Sequence, residues 1–457
     1  MLGKTGPFSF FPRYTLPGRI RDGHMYVIGL SGKGKSKLLE HCLYQDIQSG
    51  MGCGCIDPHS LLIEDLLRYL VTTKLHQSKH VHENLLYIDP TAKYIIPFNV
   101  LAAEGSPYEI AAGIKEAFCR TWPDSLKEAP HFSNVIMASL ITLISNNLTL
   151  IQLPTLLTNQ DFREQCLSKV SDHSVIEFFH DRYDQWGKDA PFLRESTLNK
   201  VAAFSMNPYL KTMLGQKENR LNFRQILDEK KILLLDLGHC DVETSRLIAS
   251  LVLTGFEQAM RRRQKNNLYS LVLEEFGSYC ANEGSEKTLA HVFSEARKFK
   301  LGMTVAHQDL SQLTPRMIGA LSNVRTKVIF GIGRADSEFF AKNIGRVDIE
   351  AVKRDALTET QQPYFSPLPE QWESWCDRLR FQKPRQATVS THDGKVAGIW
   401  TLSIPPYQAT EAQLQAVKHA SLARYGIPLE EAQRNVQETL SQAEANPTGL
   451  APTVYEP

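Results

Sequence analysis

Residues 25–41, MYVIGLSGKGKSKLLEH, decide the fold. The apolar run Met25-Tyr26-Val27-Ile28 reads as a strand, and SKLLEHCLYQDI, from Ser36 on, has the spacing of an amphipathic helix. Between them, Gly29-Leu-Ser-Gly-Lys-Gly34-Lys35-Ser36 fits the phosphate-loop pattern G-x4-G-K-[ST] in full, with strand and helix on the correct sides. Glycines let backbone N–H groups curl around phosphate, and the helix start adds its positive pole. Gly29, Ser31, Gly32, Lys33, Gly34, Lys35, Ser36 and Lys37 are therefore the expected nucleotide contacts. Lys35 bridges the β and γ oxygens and Ser36 holds magnesium.

Working outward, 457 residues are too many for one ordinary core, so two or three domains are expected. With 51 Lys plus Arg against 50 Asp plus Glu, the net charge of +1 supplies no global field toward nucleic acid. Any polyanion contact must be local. The longest apolar stretch, 135–153, is broken by polar residues and falls short of a membrane span, and the N-terminal apolar segment is too short for a signal peptide. A cytoplasmic protein without a transmembrane segment is expected. The eight cysteines are scattered, which points to reduced thiols.

Short apolar runs end in Asp57, Asp89, Asp236, the pair Glu274-Glu275, and Gln308, and another covers 327–333. Runs of this length alternating with helical periodicity predict an α/β fold with a parallel sheet buried on both faces, whose strand ends open into the ligand crevice. From 105 to 215 the spacing is helical throughout, which predicts an all-helical insert. Asp393-Gly394 marks a hairpin turn, helices are expected over 411–423 and 429–443, and NPTGLAPTVYEP reads as a disordered tail.

Hydrolysis needs a magnesium-side carboxylate followed directly by one that activates water, and among the strand ends Leu273-Glu274-Glu275-Phe276 offers this pair. Asp57 and Asp89 are each followed by Pro, and Asp236 by Leu. Glu275 is the expected general base and Glu274 the metal-side group. Gln308 senses the γ-phosphate, orients the attacking water, or simply caps a helix. Arg297, in SEARKFKLG, could reach a neighbouring subunit's nucleotide, although an exposed arginine alone carries little weight. The run Arg261-Arg262-Arg263-Gln-Lys265 reads first as a solvated helix end, with a DNA or subunit contact as the lesser alternative. His59, His82, His131, His180 and His291 lack ligand spacing.

With these residues in place, the chain resembles the TraG/TraD-like coupling ATPases of conjugation and type IV secretion, within the FtsK/HerA group of DNA pumps. The similar stretches run in collinear order: IDPHSLLIEDLL (56–67), NLLYIDPTAKYIIPFNVL (84–101), NKVAAFSMNPYLKTMLGQ (199–216), ILDEKKILLLDLG (226–238), LVLEEFGSY (271–279), FSEARKFKLGMTVAHQDLSQL (293–313) and NVRTKVIFGIGRADSEFFAK (323–342). The resemblance implies a RecA-like ATPase, 1–104 and 216–365, an all-helical inserted domain, 105–215, that engages substrate, and a C-terminal hairpin and helical arm, 366–457. It further implies ATP and Mg2+ as cofactors, the acidic pair on magnesium and water, Arg297 acting in trans and Gln308 sensing nucleotide. A hexameric ring moving DNA through its centre is implied too, with relaxase or secretion-channel proteins as partners. Three departures stand out. Membrane helices, common at the start of such proteins, are not present in the sequence, Ser31 and Lys33 replace common threonines, and Ser60-Leu61 replace a frequent Gly-Asp. A protein-delivering secretion ATPase is the alternative reading. A small-molecule kinase is disfavoured, since it has no need of Glu275.

Overall fold

The computed structural model describes residues 1–6, 12–16, 18–122, 130–186, 195, 197–201, 206–279, 283–350 and 366–444. In chain order its strands are β1 (Gly3–Lys4), β2 (Arg13–Tyr14), β3 (Met25–Ile28), β4 (Gly52–Asp57), β5 (Leu85–Ile88), β6 (Tyr94–Ile95) and β7 (Ile232–Asp236). They continue with β8 (Tyr269–Leu273), β9 (Leu301–His307), β10 (Thr326–Ile329), β11 (Gln386–Thr391), β12 (Val396–Thr401) and β13 (Ile427–Pro428). The chain folds as two compact units: Met1–Asn84 with Asn266–Leu414, and Leu85–Lys265 with Gln415–Pro457.

The first unit is an α/β sheet domain. Its strands run in the order β2-β1-β12-β11-β10-β3-β9-β8-β4. From β10 to β4 all neighbours are parallel, and β11, β12, β1 and β2 add an antiparallel flank. β4, β8 and β9 are buried along their whole length, as continuous apolar runs in a sheet covered on both faces require. The expected hairpin is β11–β12, and Gly394 sits in its turn at φ 77°, a conformation that glycine takes without strain.

The second unit holds the parallel pair β5–β7, the short antiparallel pair β6–β13, and the helices that lie between β5 and β7 in the chain. Among the described residues of 105–215 there is no strand. The helix Pro107–Thr121 opens with a complete capping box, Ser106 and Glu109, and packs along Val242–Met260. Arg120, buried between them, donates to the carbonyl of Ser250 at 3.3 Å and to Thr254 Oγ1 at 3.1 Å. Boundaries read from pattern changes lie at 104/105, 215/216 and 365/366, whereas the compact units part at 84/85, 265/266 and 414/415. The contact between these two helices accounts for the second of these: it joins the insert to sequence that follows it.

Val242–Met260 is followed by the basic run, which is held locally: Arg262 pairs with Glu109 at 2.8 Å and Arg263 lies 3.6 Å from Asp228. Two further helices, Glu411–Tyr425 and Leu429–Glu444, occur where the sequence places them. The tail from 446 on lies outside the described residues, as do Cys280 and the side chain of His131. Cys53 and Cys55 are buried in β4, and neither is in a disulfide. No described helix is long and apolar enough to cross a membrane.

Candidate nucleotide-binding site

The site is built at the carboxyl ends of β3, β8 and β9, adjacent parallel strands of the first unit. β3 delivers Gly29 against Phe330, and a Cβ at Gly29 would lie 2.5 Å from the Phe330 Cβ, so the approach requires glycine. Gly34, at φ 109°, caps the helix Lys35–Gln48, whose first-turn N–H groups have no intrahelical acceptor. Ser31 and Gly32 are exposed at the loop tip. Lys35 is buried, and its ammonium donates to the loop's own carbonyls, Gly29 at 2.6 Å and Leu30 at 3.3 Å. Burial lowers its pKa, and the neighbouring charges of Glu275 and Glu274 oppose that shift.

β8 ends in the acidic pair. The Glu274 amide donates to the Ile56 carbonyl at 3.2 Å, which extends the ladder by one rung. Ser36 Oγ donates to Glu274 Oε1 at 2.5 Å. Burial pushes the Glu274 carboxyl up to about 7, and the nearby charges of Asp57 and Glu275 push the same way, against the Ser36 hydrogen bond and Lys35. Glu275 itself adopts φ 47°, the left-handed region, which a non-glycine residue holds only when its surroundings fix it. A turn does so here: the Ser278 amide and hydroxyl both donate to the Glu275 carbonyl, at 2.9 and 2.8 Å. From the end of β9, Gln308 Nε2 donates to Glu275 Oε1 at 3.1 Å.

Among the described residues no group of three His, Cys, Asp or Glu forms a ready metal cage. Ser36 and Glu274 offer two oxygens in contact, with Glu275 and Asp57 crowding negative charge behind them. That donor set fits magnesium, which takes few protein oxygens and keeps waters and phosphate as its other ligands.

The remaining expected residues are placed differently. The Lys37 ammonium is bound by Asp65 at 2.6 Å, by Glu40 at 2.9 Å and by the Tyr407 hydroxyl. Lys33 turns its ammonium to the carbonyl of Gln382 at 3.0 Å. Arg297 is exposed in the turn that leads into β9, so the length of the seven-residue strand, about 23 Å, separates it from Gln308. It lines a shallow concavity with His24, Phe293 and Arg325 and does not join the site of its own chain.

Asp57, set aside in the sequence reading, is fully buried and accepts from the amides of His59, Leu62 and Ile63 at 2.9, 2.8 and 3.1 Å. It thereby takes up first-turn amides of the helix Leu61–Thr72, whose N-cap residue, Ser60, makes no side-chain cap bond. Asp89 is taken up by Thr91, and Asp236 by the Tyr87 hydroxyl at 2.8 Å. Sequence reasoning missed the turn 382–385 and Tyr407, which touch the loop and its helix from almost the far end of the chain, and no local pattern announces them.

No family model and no curated protein matches the sequence. Solved structures do. The unbound bacterial conjugative coupling protein TrwB, lacking its first 70 residues, is 15% identical over 86% of this chain and 87% of that one, with a TM-score of 0.59. The plasmid coupling protein TrwB in complex with ADP and Mg2+ gives the same identity and TM-score over 87% and 89%. VirB4 of Thermoanaerobacter pseudethanolicus is 14% identical over 84% and 90%, with a TM-score of 0.52. At such identities the likeness is one of fold: the chain has the α/β P-loop architecture of conjugative coupling protein TrwB and of VirB4, in line with the resemblance read from its motifs.

Proposed function

We propose that this chain is an ATP-hydrolysing, magnesium-dependent motor of the coupling type, which assembles as a hexamer and moves DNA through its centre, as in conjugative transfer. The observation that carries the reading is the convergence of Lys35, Ser36, Glu274, Glu275 and Gln308 at three adjacent strand ends, with Ser36–Glu274 at 2.5 Å and Gln308–Glu275 at 3.1 Å. Lys35 leaves the Gly29 and Leu30 carbonyls to bridge the β- and γ-phosphates. Ser36 and Glu274 would hold magnesium, which when bound would supply positive charge to the phosphate oxygens. Glu275 takes a proton from water as that water adds to the γ-phosphorus and ADP leaves, and Gln308 orients the attack. Arg297, outside its own site, serves the site of a neighbouring copy. The fold shared with TrwB, one of whose solved forms contains ADP and Mg2+, supports this assignment.

The test is the ATPase rate of wild type, Lys35→Ala and Glu275→Gln with and without DNA, together with mass in solution with nucleotide. DNA-stimulated hydrolysis that falls steeply with salt is expected, because phosphate contacts release counterions. A rate indifferent to DNA at low salt removes the DNA-pumping part. ATPase activity stimulated instead by relaxase or secretion-channel proteins would identify a protein-delivering ATPase.

A further inference from the structure

The phosphate loop is fastened from outside by a turn to which no role has been given. The Arg385 amide donates to the Lys33 carbonyl at 2.9 Å, and the Lys33 ammonium donates to the Gln382 carbonyl at 3.0 Å, so one turn, 382–385, holds Lys33 at both ends. Gln382 is itself buried and anchored through its side-chain amide to the carbonyls of Ile329, at 3.2 Å, and Leu379, at 3.4 Å. Gly331 lies directly under the Lys33 stem, where a Cβ would come within 2.9 Å of the Lys33 Cε. On the loop's other limb, the Leu30 amide donates to the Gly331 carbonyl at 2.9 Å.

Arg385 is held in the left-handed region at φ 70°, which an arginine does not adopt without compensation. The compensation comes from β12. The Thr401 amide donates to the Arg385 carbonyl at 2.8 Å and the Arg385 guanidinium donates to the Thr401 carbonyl at 2.7 Å. Arg385 thus has its carbonyl and side chain tied to the hairpin and its amide tied to the phosphate loop, one residue before Gly34.

We propose that Arg385 and Lys33 are positioning residues for nucleotide binding: the strained turn clasps the Lys33 peptide and thereby sets the loop curvature that receives the phosphates. The inference rests on the reading of this loop as an ATP site and adds a determinant of its affinity. Neither residue touches the reacting atoms, so the clasp governs nucleotide binding and KM, with turnover little changed.

The test uses the full chain, titrated with ATP and magnesium for Kd and assayed for KM and kcat, with thermal melting alongside. Lys33→Met removes the ammonium and keeps the stem. Arg385→Val keeps the amide but places a β-branched residue at positive φ, and Arg385→Gly keeps the amide with no strain. Lys33→Met and Arg385→Val are expected to raise Kd and KM about fivefold or more, with kcat within about twofold of wild type, whereas Arg385→Gly restores Kd to within about threefold. If wild type binds ATP and Lys35→Ala does not, yet Lys33→Met and Arg385→Val bind as wild type does, the clasp is overturned and the ATP site stands. If Arg385→Gly binds as poorly as Arg385→Val, the guanidinium is the operative group and the clasp assignment fails. Wild type that binds no ATP overturns both readings.

Discussion

The side-chain amide of Gln308 donates to Oε1 of Glu275 across 3.1 Å, joining the ends of two adjacent parallel strands. The contact fixes the rotamer of the proposed base, whose backbone is already constrained at φ 47°. Glu275→Gln keeps the shape and removes the proton acceptor. ATP binding should persist while kcat falls by roughly 10²–10⁴, the range for a lost general base. Gln308→Ala should lower kcat by up to about 10² through misplacement of Glu275, with ATP affinity near wild type. Single-turnover kinetics and a binding titration separate the two effects.

Ser36 and Glu274 share a hydrogen bond at 2.5 Å, and these two residues would hold magnesium in the proposed site. Ser36→Ala and Glu274→Gln should each raise the magnesium concentration needed for half-maximal hydrolysis by about tenfold or more, the range seen when metal-site partners are lost. A magnesium titration at saturating ATP reads this directly, and an unchanged midpoint would remove Glu274 from the metal site.

Arg297 and Gln308 lie at opposite ends of β9. Lys35→Ala and Arg297→Ala preparations, each expected to be inactive, should therefore regain hydrolysis when mixed, because an intact loop can then meet an intact arginine from the other variant. An arginine supplied in trans contributes about 10³–10⁵ in rate elsewhere, so even partial mixing is measurable. Mixtures no more active than their parts would place Arg297 outside catalysis.

His24 donates from Nε2 to the Phe293 carbonyl at 2.7 Å and accepts at Nδ1 from the Met303 amide at 3.0 Å, a pattern that the neutral ring satisfies and the cation cannot. Burial brings its pKa down to about 4 from 6.5, with Phe293 opposing the shift and Arg297 adding to it. Between those values the unfolded chain binds a proton that the folded chain does not. The contribution is complete above pH 6.5 and is lost as pH falls toward 4, up to about 3 kcal/mol. Denaturation at pH 7.5 and pH 5 should show a drop that shrinks in His24→Asn.

Much of this architecture is legible in the chain itself, because a strand buried on both faces must be apolar throughout and a phosphate loop must carry its glycines in sequence. β3, β4, β8 and β9 announce themselves in this way, and so do Lys35, Ser36 and the glutamate pair. Spacing does not give where the Lys33 and Lys37 ammonium groups go: each turns to acceptors within the protein. Those acceptors, Gln382 for Lys33 and Tyr407 with Asp65 and Glu40 for Lys37, come mostly from remote segments. Their arrival is a property of the folded sheet and has no signature in local spacing.

Tyr407 also donates to the buried Glu40 at 2.7 Å, the Gln408 amide donates to Thr72 Oγ1 at 3.0 Å, and Glu411 pairs with Arg68 at 2.8 Å. The stretch 402–411 is therefore a girdle across both helices that follow the phosphate loop and β4, although it lies 370 positions from Lys37 in sequence. Trimming the protein after the hairpin, at 401, would spare every residue proposed to meet ATP and still leave Glu40 buried with one partner fewer. Proteolytic nicking inside the girdle should loosen nucleotide retention before the sheet itself unfolds.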